Sequence, residues 1–279
     1  MDFSIFHYHF MQNAILAGLL GGITCSVVGV FVVTMHLSFI GVCMAHAAFA
    51  GALLGLWLGF NPLIGALVFS LASAAIIGPV ADRGELNPDT SIGVIFSLML
   101  GLAFLFMGLM QGARTEALNL FWGSILTVGQ QDIIFLAVTT AVIISLVAIL
   151  YKEIQAVICH REVALAVGIP ATVIFYGLLF STGVTITASL QSIGGLLIYC
   201  LILNPAAAAY QLTYSLRKML FIAAAFGVVS CWVGLATSYV LDIPSGASIV
   251  ITSSVIFGLA TAFSPKRKVK RWQQIPLAG

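Results

Sequence analysis

His46 is an ionisable side chain inside a long apolar run, and it is where chemistry is sought first. Residues 41–60 contain no Asp, Glu, Lys or Arg. A histidine in such a run marks an ion or substrate path by default. Cys43 lies three residues earlier, on an adjoining helix face. Imidazole and thiolate both suit borderline transition metals such as zinc. The competing reading is a neutral histidine bonded within a helix bundle, with Cys43 as a small buried hydrophobe. The residue types favour a pathway role for His46 and burial for Cys43. Gly51, Gly55 and Gly59 follow at four-residue spacing, one step after Ala47. Small residues so spaced let two helix backbones approach closely, so packing is their expected role.

A second cluster spans Lys152 to Ile169. His160-Arg161-Glu162-Val163-Ala164-Leu165-Ala166-Val167 suits two helical turns, and Gly168 with Pro170 supplies the stop. A short helix between two apolar runs is a natural docking element for a partner, or else a loop helix shielding the bundle. Asn204-Pro205 interrupts the apolar stretch Leu196 to Tyr210, where proline removes a backbone donor; the break lines a cavity or kinks the helix. His7 and His9 form a polar terminus or an external metal patch, and His36 is an interfacial residue. The sequence has no G-x-x-x-x-G-K-[ST], no H-E-x-x-H and no G-x-S-x-G in a strand–helix context. The chain therefore carries no evident energy source or catalytic centre of its own.

These residues need a membrane scaffold. Of the 279 residues, 61% are hydrophobic and 7% charged, too few charges to cover a soluble domain of this size. The apolar residues come in runs that fit the hydrocarbon thickness as helices. Weak alternation, with abundant Gly and Ala, argues against a β-barrel. The expected fold is all-α, a polytopic transmembrane bundle of about nine spans near 12–34, 41–60, 62–81, 90–110, 131–151, 172–190, 192–210, 218–241 and 245–263, plus the short helix at 161. Turns fall at Asn61-Pro62, at 82–89 and at 242–246. An eight-span arrangement with one re-entrant run is the second choice. A transmembrane domain is expected over 1–265 and a basic cytoplasmic tail over 266–279. That tail, Lys266 to Arg271, places the C-terminus in the cytoplasm and, with nine spans, the N-terminus outside. Ten of the eleven basic residues then face the cytoplasm, with Arg114 the exception. No positive region precedes the first run, so no cleavable signal peptide is expected. Residues 117–126, apolar but too short to span, are an interfacial segment around Trp122 or a tight loop. The five cysteines are odd in number and scattered, which reads as buried thiols rather than disulfides.

Five elements in order resemble the permease subunits of the manganese/zinc/iron ABC transporters. The first is Gly29–Val33 followed by Ser38-Phe39-Ile40-Gly41 and Ala45-His46-Ala47-Ala48-Phe49-Ala50-Gly51. The others are Asp89–Phe96, Leu120–Leu126, Arg161–Ala164 running to Gly168-Ile169-Pro170, and Gly194–Ile198 running to Asn204-Pro205-Ala206-Ala207. The resemblance implies a multi-pass subunit of the cell's inner (plasma) membrane. It implies a second permease copy forming the pathway, cytoplasmic ATPase subunits that hold ATP, and an extracytoplasmic solute-binding protein delivering a divalent metal ion. The transported metal would be zinc or manganese, with no permanently bound cofactor, no enzymatic activity in this chain and no nucleic-acid partner. His46, with Cys43, would belong to the metal path. Arg161, Glu162, Val163, Ala164 and Gly168 would couple to the ATPase.

The chain departs from that family in places. Many members carry Asp four residues before the histidine; Val42 stands there, and Ala45 replaces the usual Ser. The lost negative charge would have offset the desolvation of a divalent cation. A softer metal, a contribution from Cys43, or a chelated or organic cargo each answers that loss. The acidic residue expected before the docking helix is replaced by His160. An ion-coupled secondary transporter would need intramembrane carboxylates, and the spans hold almost none.

Overall fold

The structure, a computed structural model, describes residues 9–83, 88–110 and 125–266. His7, Arg114, residues 117–124 and the tail from Arg267 lie outside the described residues. Among the described residues there are eleven α-helices and no strand: α1 His9–Thr34, α2 Ile40–Leu58, α3 Pro62–Arg83, α4 Pro88–Leu109, α5 Gln130–Ile149, α6 Tyr151–Cys159, α7 Arg161–Ala166, α8 Ala171–Ile193, α9 Gly195–Leu212, α10 Leu216–Leu241 and α11 Ser245–Ala262. A 3₁₀ turn, Ile125–Thr127, leads into α5. Eight of these helices are long and apolar enough to cross a membrane. The ninth expected run is α9, whose apolar part, Leu197–Leu212, is shorter.

Small residues set the packing. A Cβ on Gly51 would strike the Gly65 carbonyl, so α2 and α3 cross in backbone contact there, and Gly55 meets Pro62 one turn on. Gly22 faces Gly227 between α1 and α10, and Gly29 sits against the Ile202 carbonyl of α9. In lipid no water is released when apolar helices meet, so close approach of this kind supplies the dispersion contact that holds them. Buried polar groups pair across helices. Thr24 and Thr140 hydroxyls lie 2.7 Å apart, and Asn204 Nδ2 donates to Ser253 and Ser254 Oγ at 3.0 and 3.1 Å.

Asn204-Pro205 does not break α9, which runs through it. Proline withholds the N–H that would reach the carbonyl four residues back, at Leu201. Ser26 Oγ of α1 donates to that carbonyl at 3.3 Å. The packing partner thus re-satisfies a group that hydrocarbon would leave bare.

Contacts fix the direction of each helix. Gly18 and Gly22 of α1 meet Cys231 and Gly227, so α10 runs antiparallel to α1. Ser26 meets Leu201 and Gly29 meets Ala206, so α9 runs parallel to it. Gly21 meets Ile193 and Cys25 meets Ser189, so α8 is antiparallel. The chain therefore reverses at Gly194, whose φ of 91° and ψ of 147° favour glycine. Because Ile193 lies beside Gly21, that turn is level with the middle of α1, and Ile193, Leu197 and Ile198 around it are buried. This explains the short α9. With the Gly51–Gly65 and Gly55–Pro62 contacts that make α3 antiparallel to α2, and the Asn13–Val128 and Thr24–Thr140 bonds that run α5 along α1, these pairings place Arg83, Lys152, Arg161, Arg217, Lys218 and Lys266, every Lys and Arg among the described residues, at one end of the bundle.

Candidate permeation site and docking helix

His46 lies in α2, half-buried on the face against α4. Its Nδ1 donates to the Val42 carbonyl at 2.9 Å. A carbonyl only accepts, so Nδ1 carries the proton in this bond, and imidazole is a common metal ligand. Backbone Val42 thus orients the ring although its side chain offers no ligand. Phe96 of α4 meets His46 edge-on, with centroids 4.9 Å apart and planes at 81°. Phe39, two turns nearer the basic end, meets the same Phe96 ring at 5.7 Å. Beyond it a depression of about 560 Å³ opens at the basic end, lined by His36, Ser38, Phe39 and Gly93. Phe96 and Phe39 therefore form an aromatic wall between His46 and that depression. His36, exposed in the α1–α2 turn with φ of 59°, lies on its rim.

Cys43 is placed differently. It is fully buried in the main core cluster with Ile40, Met44 and Ala47, while His46 reaches the surface. No group of three or more His, Cys, Asp or Glu side chains able to hold a metal occurs among the described residues. Of the three glycines expected to pack, Gly51 and Gly55 do so. Gly59 instead caps α2 at φ 76°, its N–H bonded to Gly55 O, with nothing opposite it. A left-handed cap needs glycine for its φ rather than for its lack of bulk.

The docking element forms as two turns with a defined stop. Gly168 N–H bonds Leu165 O and Ile169 N–H bonds Ala164 O, a Schellman motif with Gly168 at φ 89°. Ala164 packs into a cluster with Ile154, Val157, Ala171 and Ile174. Arg161 stacks over Phe175, 5.1 Å from its centroid, and its Nη2 reaches Thr172 Oγ1 at 3.5 Å. Ala164 and Arg161 thus hold α7 on the bundle. Glu162, Val163, Leu165 and Val167 point away and are exposed, Val163 at 59% and Val167 at 76%. Apolar side chains outside the spans with nothing covering them fit a protein contact. At the last described residue, Lys266 Nζ lies 3.8 Å from the Tyr210 centroid and 4.5 Å from that of Tyr214, and burial there lowers its pKa from the ordinary lysine value.

The sequence reading named Phe39 and Phe96 only as parts of larger motifs. Their shared wall depends on which face of α4 meets α2, which no spacing within one run reveals.

Known proteins with this architecture agree. Residues 7–264 match the model of the ABC 3 transport family. An uncharacterized membrane protein of Synechocystis sp. is 36% identical over 256 residues, covering 92% of this chain and 91% of its own. The manganese transport system membrane protein MntC of Listeria monocytogenes is 32% identical, covering 94% of each. The solved structure of PsaBC from Streptococcus pneumoniae in complex with Fab superposes with TM-score 0.86 at 29% identity, over 97% of this chain and 98% of that one. With its helical bundle, its polar intramembrane residue and its exposed basic-end helix, this multi-pass membrane chain belongs to the ABC 3 transport family.

Proposed function

We propose that this chain is the membrane-spanning permease subunit of an ATP-driven importer for a divalent transition metal ion, with manganese or zinc as cargo. The observation that carries the reading is His46, a half-buried imidazole whose Nδ1 is held by the Val42 carbonyl, in a bundle otherwise almost free of intramembrane charge. The likeness to manganese transport proteins supports the cargo class. One imidazole is a weak site, so the pathway forms where a second copy of the chain brings a second set of ligands. ATP is bound and hydrolysed on a separate cytoplasmic subunit that seats on α7, and an extracytoplasmic binding protein delivers the ion. The basic end of the bundle is cytoplasmic by the positive-inside rule, which puts the N-terminal end of α1 outside and the chain in the cell's inner membrane.

A chelate or organic cargo is the second reading, favoured by Val42 at the position where the family resemblance leads one to expect Asp. Uptake of free metal against the same metal as a stable chelate separates them. The proposal expects accumulation from free ion and none from chelate; the reverse result replaces the metal ion with the chelate as substrate.

A further inference from the structure

We infer that an anionic glycerophospholipid binds in a groove between α1, α5 and α10 at the basic end of the bundle. The groove has a volume of about 450 Å³, within the roughly 300–1,000 Å³ range of ligand clefts. Its walls are apolar, formed by Val27, Ile144, Ala148 and Phe221. Ile144 and Phe221 are 42% and 69% exposed, so the groove opens to the surroundings of the bundle. On α5 it runs from Ile144 to Ala148, and Tyr151 at the start of α6 extends it; the seven-residue step from Ile144 to Tyr151 at helical rise corresponds to roughly 10 Å. Tyr151 and Arg217 line it at the basic end. Arg217 has no hydrogen bond or ion pair among the described residues. Lys152 and Lys218, both exposed, flank it, and the acidic residue beside them is Glu153.

The arrangement matches one occupant. An acyl chain fills an apolar groove that opens into hydrocarbon, and a phosphate at headgroup depth meets a guanidinium bidentately. The surrounding excess of positive charge selects an anionic headgroup over a zwitterionic one. The face is remote from His46: α2 and α4 make no major packing contact with α5 or α10. This lipid would occupy the cytoplasmic leaflet, which rests on the orientation proposed above; the site itself does not.

The test is native mass spectrometry of the full chain in mild detergent, with dioleoyl phosphatidylglycerol or dioleoyl phosphatidylcholine added. The native chain is expected to retain phosphatidylglycerol in preference by about fivefold, the contribution of one basic side chain near the headgroup. Arg217→Gln removes that preference, Arg217→Lys keeps most of it, and Ala148→Trp, which fills the groove from an exposed position, lowers retention of both lipids. Monodispersity and thermal unfolding confirm that each variant is folded. Equal retention of the two lipids by the native chain overturns the inference, as does a preference unchanged in Arg217→Gln or retention of both lipids unchanged in Ala148→Trp. Protection of this face only when the ATPase partner is present makes it a protein dock and also overturns it. Retention in detergent is independent of orientation, so failure here and failure of the membrane topology are told apart.

Discussion

At the scale of single residues, the account turns on one ring. The Val42 carbonyl orients His46, and Phe96 walls it from the basic-end depression. Val42→Asp would place a carboxylate on the same helix face, since residues four apart are neighbours. Carboxylates suit manganese better than zinc, so the variant is expected to shift competitive uptake toward manganese by on the order of tenfold, the scale of losing or gaining a metal-site partner. An acidic side chain in a span costs about 2.5–3.5 kcal/mol, so folded protein must be quantified alongside. An unchanged manganese-to-zinc ratio at equal protein would place the cargo path elsewhere. His46 was legible in the sequence because an ionisable residue in an apolar run needs a reason. Cys43, three residues away, was read as a buried thiol or a companion ligand, and it lies in the core. Spacing gives neighbouring faces, and only tertiary packing says which of the two is outward.

At the scale of helices, sequence pattern located the runs and missed what joins them. Gly51 and Gly55 were legible as a packing face, but their partners, Gly65 and Pro62, were not. Gly59 shares their spacing and has a different job, because the helix ends before it. Gly51→Ala forces α2 away from α3 and is expected to cost about 1–3 kcal/mol, as overpacked cores do. Gly101→Ala, with open space around its Cβ position, should instead leave stability unchanged or raise it by up to about 1 kcal/mol. Thermal unfolding in detergent reads both, and equal midpoints would contradict the crossing. Pro205 was read as a cavity-lining break or a kink; the helix runs through it, and the Ser26 hydroxyl, 179 positions earlier in the chain, meets the carbonyl that the proline leaves free. In α7 the stop at Gly168 was foreseen from composition, and the division of labour was not. Ala164 and Arg161 face the bundle, whereas Val163 faces out. Val163→Asp should therefore weaken co-purification of the ATPase subunit by about tenfold, in the range of interface hot spots, with no change in unfolding temperature. Intact association would remove α7 from the dock.

At the scale of the whole molecule, the described Lys and Arg residues gather at one end although they come from six separate positions between 83 and 266. The asymmetry was legible because charge distribution needs no tertiary knowledge. The depth of the Gly194 reversal was not, since α8 and α9 read as two apolar runs whatever their level in the bundle. Cys159 is the one exposed cysteine and sits at the basic end, while Cys25, Cys43 and Cys231 are buried. A membrane-impermeant maleimide should leave Cys159 unlabelled in intact cells and label it after permeabilisation; labelling of intact cells would invert the topology. The central claim, that this bundle conducts a transition metal past His46, is tested most directly by whole-cell elemental analysis. Cells lacking the chain are complemented with the native protein or with His46→Ala at equal expression under limiting metal. One metal, manganese or zinc, should fall in the deletion, return with the native chain and stay low with His46→Ala. No change in any transition metal across the three strains would contradict the metal-permease account.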